Sequence, residues 1–257
     1  ACEPKNVLIS FERPYRAPHH NASTPALVGG GRKAQPGEIS LAHHGVLFLD
    51  ELPEFNRTTL EALRQPLENG CVSISRVNAH TTYPADFQLI AAMNPCRCGH
   101  LGDPSRECPR APRCAEEYQA KISGPLLDRI DIHIEVPAVS PWDLAGVKKG
   151  ETSAAIRQRV IKAREIQTAR FRQLGEKKLC TNAQLKGKLL EEVAALDNDA
   201  KELLVTFADR NKLSARAYHR TLRLARTIAD LQNESKILKL HIAEALSYRP
   251  KLSSHRQ

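Results

Sequence analysis

The chain has 257 residues, with 38 basic and 29 acidic side chains, a formal net charge of +9 and a pI near 9.3. Apolar residues make up 41% and charged residues 26%. This ordinary globular composition excludes collagen, low-complexity chains and wholesale disorder. No apolar run reaches the roughly 18 residues of a membrane span, and the first residues lack a secretory signal. We therefore expect a cytoplasmic protein without a membrane partner, and the basic surplus favours nucleic acid as a partner.

The first half of the chain has the strand–helix–strand order of a parallel α/β sheet. Residues 46–49 and 87–93 are short apolar runs, typical of strands buried on both faces. Between them, leucines at helical spacing predict one helix over residues 57–69, followed by a β-hairpin over residues 71–83. The alternating segment 130–136 predicts a further strand with one covered face.

The second half is predicted to be helical. Pro, Gly and Ser residues separate the two halves, so we place the boundary at residue 140. This gives an α/β core over residues 1–140 and an α-helical lid with its linker over residues 141–257. The first lid helix is expected to begin after Thr152 or Ser153 and to carry an apolar stripe of Ile156, Val160, Ala163 and Ile166. Further helices are predicted over residues 189–196, 197–210, 215–230 and 238–248.

Acidic and amide side chains follow the two apolar runs. Asp50 and Glu51 end the first run in a Walker B pattern, in which one carboxylate holds hydrated Mg²⁺ and the other polarises the attacking water. A strand that simply ends in solvent has the same pattern, so the run alone leaves both readings open. Asn94 ends the second run, where its amide can orient a water or contact a phosphate. Before Pro95 it is also well suited to a turn.

Two arginines are candidates for stabilising charge on a phosphate. Arg129 precedes the predicted strand at 130–136 and is placed either to reach a neighbour's site or to form a surface ion pair. Arg216 lies in the first turn of a predicted helix. From that position its side chain is able to contact a nucleotide. Arg220 and Arg223 share its face of the helix, and we interpret these two as solvated.

These motifs together resemble one known family. Four of them are RPYRAPHH at residues 13–20, PGEISLAH at 36–43, GVLFLDELPEF at 45–55 and AMNPC at 92–96. With residues 123–131 and 213–249, they are similar to the ComM (YifB-like) proteins, the magnesium-chelatase-like branch of AAA+ ATPases. The resemblance implies an α/β fold, an AAA+ parallel-sheet core with a β-hairpin insertion, followed by an all-α lid domain. It also implies a hexameric, ATP-driven DNA motor for branch migration in natural transformation and homologous recombination.

The resemblance also implies roles for individual residues. By the family pattern, Asp50 and Glu51 are Walker B, with Asp50 holding Mg²⁺ beside ATP. Asn94 is sensor 1, Arg129 the trans-acting arginine finger and Arg216 sensor 2. The family's P-loop and N-terminal domain are expected before Ala1, since no Gly-x-x-x-x-Gly-Lys-Ser/Thr motif occurs in these residues.

Two insertions of the family are expected to line a DNA channel. The loop at residues 29–33 resembles the helix 2 insertion, and the hairpin around residues 76–80 resembles the insertion before sensor 1. Lys33 and Arg76 are therefore the candidate DNA contacts. Contact with backbone phosphates gives salt-sensitive, sequence-independent binding to branched, single- or double-stranded DNA.

Clustered cysteines and paired histidines are the other candidate ligands. One loop rich in Gly and Pro contains Cys96, Cys98, Cys108 and Cys114, a set that predicts a structural Zn²⁺ site, with His100 as a substitute ligand. The loop is poor in apolar residues and needs such a staple. His19 and His20 point in different directions in an extended chain, so we interpret them as a structural or phosphate-contacting loop.

Two alternative functions stay open at this point. A magnesium-chelatase-type motor subunit shares the ATPase chemistry and remodels a partner protein. A non-catalytic, zinc-stabilised DNA-binding module accounts for the missing P-loop motif. The discriminating observation is whether DNA or a partner protein stimulates ATP hydrolysis.

Overall fold

The structure is a computed structural model that describes residues 12–31, 34–76, 79–101, 108–137 and 150–249. The chain divides into two compact units, residues 1–130 and residues 131–257. The boundary predicted at residue 140 lies outside the described residues and stays a prediction. No described helix has the length and apolarity needed to cross a membrane.

The first unit contains short strands and helices in alternation. They are β1 (Tyr15–Arg16), α1 (Thr24–Val28), β2 (Gly29–Gly30), β3 (Gln35–Pro36), α2 (Glu38–Leu41), β4 (Val46–Leu49), α3 (Arg57–Ala62), α4 (Arg64–Asn69), β5 (Cys71–Arg76), β6 (Ala79–Pro84), β7 (Gln88–Ala91), α5 (Arg113–Gln119) and α6 (Gly124–Leu127).

A parallel sheet of three strands, in the order β1–β4–β7, forms the centre of the first unit. Val46 of β4 pairs with Tyr15 on one side and with Gln88 on the other. Because β4 is the central strand, Leu47 and Leu49 are fully buried. The predicted parallel-sheet core is confirmed, but the expected burial of both faces is wrong for β7, an edge strand among the described residues, in which Ile90 is 42% exposed.

The predicted β-hairpin is also confirmed. β5 and β6 pair antiparallel over six residues each, from Cys71 opposite Pro84 to Arg76 opposite Ala79. The side chains of Val72 and Ile74 alternate into the core of the first unit. The connecting residues 77–78 lie outside the described part of the chain.

Two predictions in this region are wrong. The single helix expected over residues 57–69 is two helices, α3 and α4, that meet at Leu63. Pro66 explains the break, because it has no N–H to donate to the carbonyl of Ala62 and its ring clashes with that turn. The strand expected over residues 130–136 does not form in the structure. A strand needs a paired neighbour, and no described residue supplies a ladder here, so Ile134 is 68% exposed.

The second unit is helical, as predicted. Its helices are α7 (Ser153–Gln173), α8 (Gly187–Val193), α9 (Asn198–Arg210), α10 (Ala215–Leu231) and α11 (Lys239–Ser247). The predicted stripe of α7 is wrong in its first half, because Ile156 and Val160 are exposed. The residues of α7 that do reach the core are Ala163, Gln167 and Phe171.

The interior of the second unit contains a buried ion network. Arg226 and Asp230 of α10 are fully buried and form an ion pair. Arg170 of α7 also donates to Asp230, and Asn182 Nδ2 donates to the same carboxylate at 2.7 Å. These donors replace the water that the Asp230 carboxylate loses on burial, which offsets the cost of burying it.

Candidate active site and cysteine cluster

The acidic and amide side chains singled out in the sequence lie on adjacent strand ends. Asp50 and Glu51 follow β4, and Asn94 follows β7 by a few residues. The two chains run side by side beyond the strands, because Ala92 N donates to Leu49 O at 2.9 Å and Leu52 N donates to Ala92 O at 3.0 Å. Ligands of open parallel sheets bind at this carboxyl edge. We call Asp50, Glu51 and Asn94 the strand-end site.

The backbone at Glu51 has an unusual conformation. Its φ of 51° and ψ of 46° are left-handed, a strained region for a non-glycine residue. Glu51 caps a 3-10 turn at Leu52–Glu54, and its N–H donates to Asp50 Oδ1 at 2.9 Å. Burial of Leu52 and Phe55 holds the turn against the core. Strain of this kind is often kept at functional sites, where it aims a side chain.

A histidine contacts the carboxylate of Glu51. His20 Nδ1 lies 2.9 Å from Glu51 Oε2. The His20 ring stands edge-on to Phe55, with centroids 6.4 Å apart, and next to His19, with centroids 4.1 Å apart. Our interpretation of the histidine pair missed this contact. No local signal announces it, because it depends on the loop after β1 meeting the turn after β4.

The predicted arginine finger is engaged within the first unit. Arg129 Nη2 lies 2.5 Å from Glu68 Oε2, and Nη1 donates to Pro125 O at 2.6 Å. The Arg129 side chain is only 7% exposed. The sequence left an ion pair open as the alternative to the finger role, and the structure shows such a pair with Glu68. The finger role of Arg129 stays a prediction.

Arg220 and Arg223 of α10 were expected to be solvated, and this expectation is wrong. Arg220 Nη1 lies 2.6 Å from Asp131 Oδ1, and Arg223 Nη1 donates to Leu185 O at 3.1 Å. Both side chains are therefore tied within the second unit. Arg216 is exposed in the first turn of α10, whose N-cap Ser214 accepts a hydrogen bond from Ala217 N. Its sensor 2 role stays a prediction.

The two candidate DNA contacts lie beyond what the structure describes. Lys33 is outside the described residues. Arg76 is the last residue of β5, and its side chain is outside the described part. Their roles stay predictions.

The four loop cysteines converge on one point. The sulfurs of Cys96, Cys98, Cys108 and Cys114 all lie within 4.8 Å of one another, and all but Cys98 are buried. Cys98 Sγ is 3.2 Å from Cys96 Sγ, 3.3 Å from Cys108 Sγ and 4.0 Å from Cys114 Sγ. A tetrahedral zinc with bonds of about 2.3 Å separates its sulfurs by about 3.8 Å, so the cluster fits such an ion.

The pKa values of two cysteine thiols in the cluster are shifted in opposite directions. Burial raises the pKa of Cys96, but hydrogen bonds from the Cys98 thiol and from nearby backbone amides outweigh it and lower the pKa to about 7. For Cys98, a backbone hydrogen bond from His100 lowers the pKa, but donation to Cys96 and Cys108 raises it to about 12. The Cys96 sulfur therefore loses its proton more readily than an ordinary thiol does, whereas the Cys98 sulfur holds its proton more tightly.

Comparison with known proteins decides the family. The family model described as magnesium chelatase, subunit ChlI, matches residues 3–144, and the model of the ChlI C-terminal part matches residues 150–249. The chain belongs to the magnesium chelatase ChlI family. As a member of it, the chain has an AAA+ α/β core with a β-hairpin insertion, followed by a helical lid.

Individual relatives support the ComM-like resemblance within this family. The chain is 50% identical over 240 residues to competence protein ComM of Haemophilus influenzae, a match that covers 93% of this chain and 45% of ComM. It is 47% identical over 239 residues to the uncharacterized protein YifB of Salmonella typhimurium, covering 93% and 46%. The chain spans about half the length of these curated relatives.

A shorter match reaches a chelatase. The magnesium-chelatase 67 kDa subunit of Chlorobaculum parvum is 32% identical over 69 residues, which is 27% of this chain and 11% of that protein. This match has a lower identity and covers fewer residues than the matches to ComM and YifB.

Proposed function

We propose that this chain is part of an ATP-hydrolysing AAA+ DNA motor. The observation that carries the proposal is the strand-end site, where Asp50, Glu51 and Asn94 lie on adjacent carboxyl ends of a parallel sheet. A carboxylate pair and an amide at such an edge suit the hydrolysis of a nucleotide phosphate. Membership of the magnesium chelatase ChlI family supports the same chemistry.

Each residue of the strand-end site has a separate role in the proposed hydrolysis. One oxygen of Asp50 accepts the N–H of Glu51, and Asp50 is exposed, so its carboxylate is suited to hold a hydrated Mg²⁺. The ion supplies neutralisation of phosphate charge when it is bound. Glu51 accepts a proton from the attacking water, and Asn94 orients that water or the terminal phosphate. Arg129 and Arg216 stabilise charge on the phosphates from a neighbouring subunit and from the lid, respectively.

DNA is the proposed substrate of the motor. The net charge of +9 favours a polyanion, and a relative at 50% identity carries the name competence protein ComM. We propose that a cytoplasmic homo-hexamer drives branch migration of branched DNA in natural transformation and homologous recombination. Lys33 and Arg76 contact phosphates of single- or double-stranded DNA in its channel.

Zinc is the proposed resident ion of the cysteine cluster. Four thiolates in one place select a soft or borderline metal, and a closed set of four sulfurs is typical of structural Zn²⁺. Elemental analysis of the native polypeptide that contains this chain tests this. About one zinc per chain is expected; iron, or no metal after purification without chelator, refutes zinc.

A chelatase motor subunit is the second candidate. The local match to a magnesium-chelatase 67 kDa subunit and the family description favour it. A non-catalytic, zinc-stabilised DNA-binding module is the third, and the convergent cysteines favour it.

The deciding experiment compares stimulators of ATP hydrolysis by the native polypeptide. Branched DNA, linear duplex and single strands are added separately, and protein extract depleted of nucleic acid is the comparison. Our proposal expects stimulation by branched DNA. Stimulation by protein alone supports the chelatase-type motor, and DNA binding without any hydrolysis supports the binding module.

A further inference from the structure

One short helix joins the cysteine cluster to the strand-end site. α5 contains Cys114 near its start and ends at Gln119. Gln119 Nε2 donates to the carbonyl of Pro95, the residue after Asn94, at 2.9 Å. Lys121 Nζ, just beyond the helix, lies 3.4 Å from Glu54 Oε1 in the turn that Glu51 caps. The segment from Cys114 to Lys121 therefore contacts the backbone just after Asn94 and the turn just after Glu51.

The two ends of this segment are anchored in different ways. Ile122 belongs to the main core of the first unit, together with the leucines of β4. Cys114 and Ala115 belong instead to a separate small cluster with Cys96 and Cys108, against which Leu101 packs. The start of α5 is thus placed by the cysteines, and the end by the core.

That small cluster is too poor in apolar surface to hold a helix by itself. Its members other than Leu101 are cysteines and one alanine, and each buried methylene contributes only about 0.8 kcal/mol. The cysteines are free thiols, and their separations of 3.2 and 3.3 Å exceed the roughly 2.05 Å of a disulfide bond. Thiolate–metal bonds would supply the missing stabilisation.

We infer that the metal bound by Cys96, Cys98, Cys108 and Cys114 is a brace for the strand-end site: it fixes α5, which holds the turn after Glu51 and the backbone after Asn94. This inference rests on the proposed function. Its partner is a single thiolate-binding divalent cation, Zn²⁺ by ligand class. Gln119 and Lys121 are positioning residues, which act through Pro95 and Glu54 and not on the nucleotide. Metal occupancy consequently sets turnover while leaving nucleotide affinity unchanged.

The test uses the native polypeptide and two kinds of variant. Cys108→Ser removes a ligand, and exposed Cys180→Ser is its matched control. The double variant Gln119→Ala/Lys121→Ala removes the contacts with Pro95 and with Glu54 that these two side chains make, and it keeps every cysteine. Its control is Arg110→Ala, which removes an exposed ion pair with Glu117 on the same helix and leaves the strand ends untouched. Each protein is measured for zinc per chain, for kcat and KM of ATP, and for amide hydrogen exchange of residues 49–55 and 91–95.

The brace predicts a distinct result for each variant. Cys108→Ser loses most of its zinc, and exchange rises at both strand ends. Gln119→Ala/Lys121→Ala keeps its zinc, loses about tenfold in kcat as expected for an outer positioning shell, and keeps its KM. Both controls behave as the wild type.

Other results overturn the inference. If Cys108→Ser binds as much zinc as the wild type, the assignment of Cys108 as a metal ligand is refuted. Unchanged kcat and unchanged exchange in the double variant remove the brace, even where the metal stays. If the wild type hydrolyses no ATP, the proposed function fails, and zinc content with hydrogen exchange still decides the brace. A Cys108→Ser protein that does not fold leaves the decision to the double variant.

Discussion

His20 Nδ1 lies 2.9 Å from Glu51 Oε2 and joins the loop after β1 to the turn after β4. Phe55 and His19 pack against the imidazole, so the ring has a fixed place from which to hold the carboxylate. The Glu51 side chain is 51% exposed and is otherwise able to sample several rotamers in water. Glu51 Oε2 contacts the histidine, which leaves Oε1 to accept a proton from the attacking water in the proposed reaction.

Replacing His20 is expected to slow ATP turnover. His20→Ala frees the carboxylate of Glu51, and loss of its orientation lowers kcat by about tenfold, or roughly 1.4 kcal/mol. Steady-state hydrolysis by the native polypeptide measures this. His44→Ala is the control, because the His44 side chain is exposed and its Nδ1 lies 4.0 Å from Asp86 Oδ2, not against His20. A His20→Ala protein as active as the control, or more active, contradicts the positioning role.

The buried ion network makes Asp230 a stability determinant of the second unit. Asp230→Ala leaves the fully buried Arg226 without its carboxylate, at an expected cost of about 3–5 kcal/mol. Hydrogen exchange of α10 peptides reports the loss locally. Asp209→Ala, at an exposed position of α9, is the control. Equal protection of α10 in the two variants would show that the network does not stabilise the unit.

His241 makes the helical unit sensitive to acid. Burial, with the nearby charge of Arg226, lowers the pKa of His241 below 6.5. The neutral ring accepts from Leu238 N at 3.0 Å through Nδ1, and Nε2 lies 2.9 Å from Gln232 Oε1. Because the unfolded chain binds the proton more tightly, stability is complete above pH about 6.5 and falls as pH drops below it.

Denaturation at pH 7.5 and 5.5 checks the sign of this effect. Wild type is expected to lose stability between these pH values, and His241→Asn to lose less, because an asparagine does not titrate. His219→Asn, at a half-buried position of α10, serves as the control. A wild-type protein equally stable at both pH values refutes the prediction.

The proposed DNA contacts are expected to act through phosphate charge. Lys33→Ala and Arg76→Ala should each weaken DNA binding for every sequence and reduce the slope of log affinity against log salt by about 1. Binding to labelled branched DNA at several salt concentrations measures the slope. Lys178→Ala, at an exposed position of the second unit, should leave the slope unchanged. A loss of affinity without a change of slope would assign these residues a role other than phosphate contact.

Local patterns in the sequence predicted several elements of the fold correctly. The apolar run at β4, the alternation of β5 and the spacing of the lid helices are local signals, and the structure confirms them. The clustering of four cysteines in one loop indicated a shared site, and their sulfurs do converge in the structure. In contrast, β1 is only two residues long and has no periodic signal of its own.

Several missed features depend on distant parts of the chain, whereas the helix break before Pro66 has a local cause. Arg129 pairs with Glu68, which lies 61 residues earlier in the chain, and no local pattern in the sequence indicates this partner. The contact between His20 and Glu51 depends in the same way on the pairing of β1 with β4. Alternation at residues 130–136 predicted a strand, but alternation alone does not supply the partner that a strand needs.

The most direct test of the central claim is ATP turnover by the native polypeptide beside its Glu51→Gln variant, with branched DNA present. Glu61→Gln, an acid that pairs with Arg64 on the neighbouring helices, is the matched control. The account predicts that Glu51→Gln binds nucleotide as the wild type does and loses at least about 100-fold in turnover, as for loss of a general base, while Glu61→Gln keeps its activity. Hydrolysis by Glu51→Gln at the wild-type rate would contradict the account.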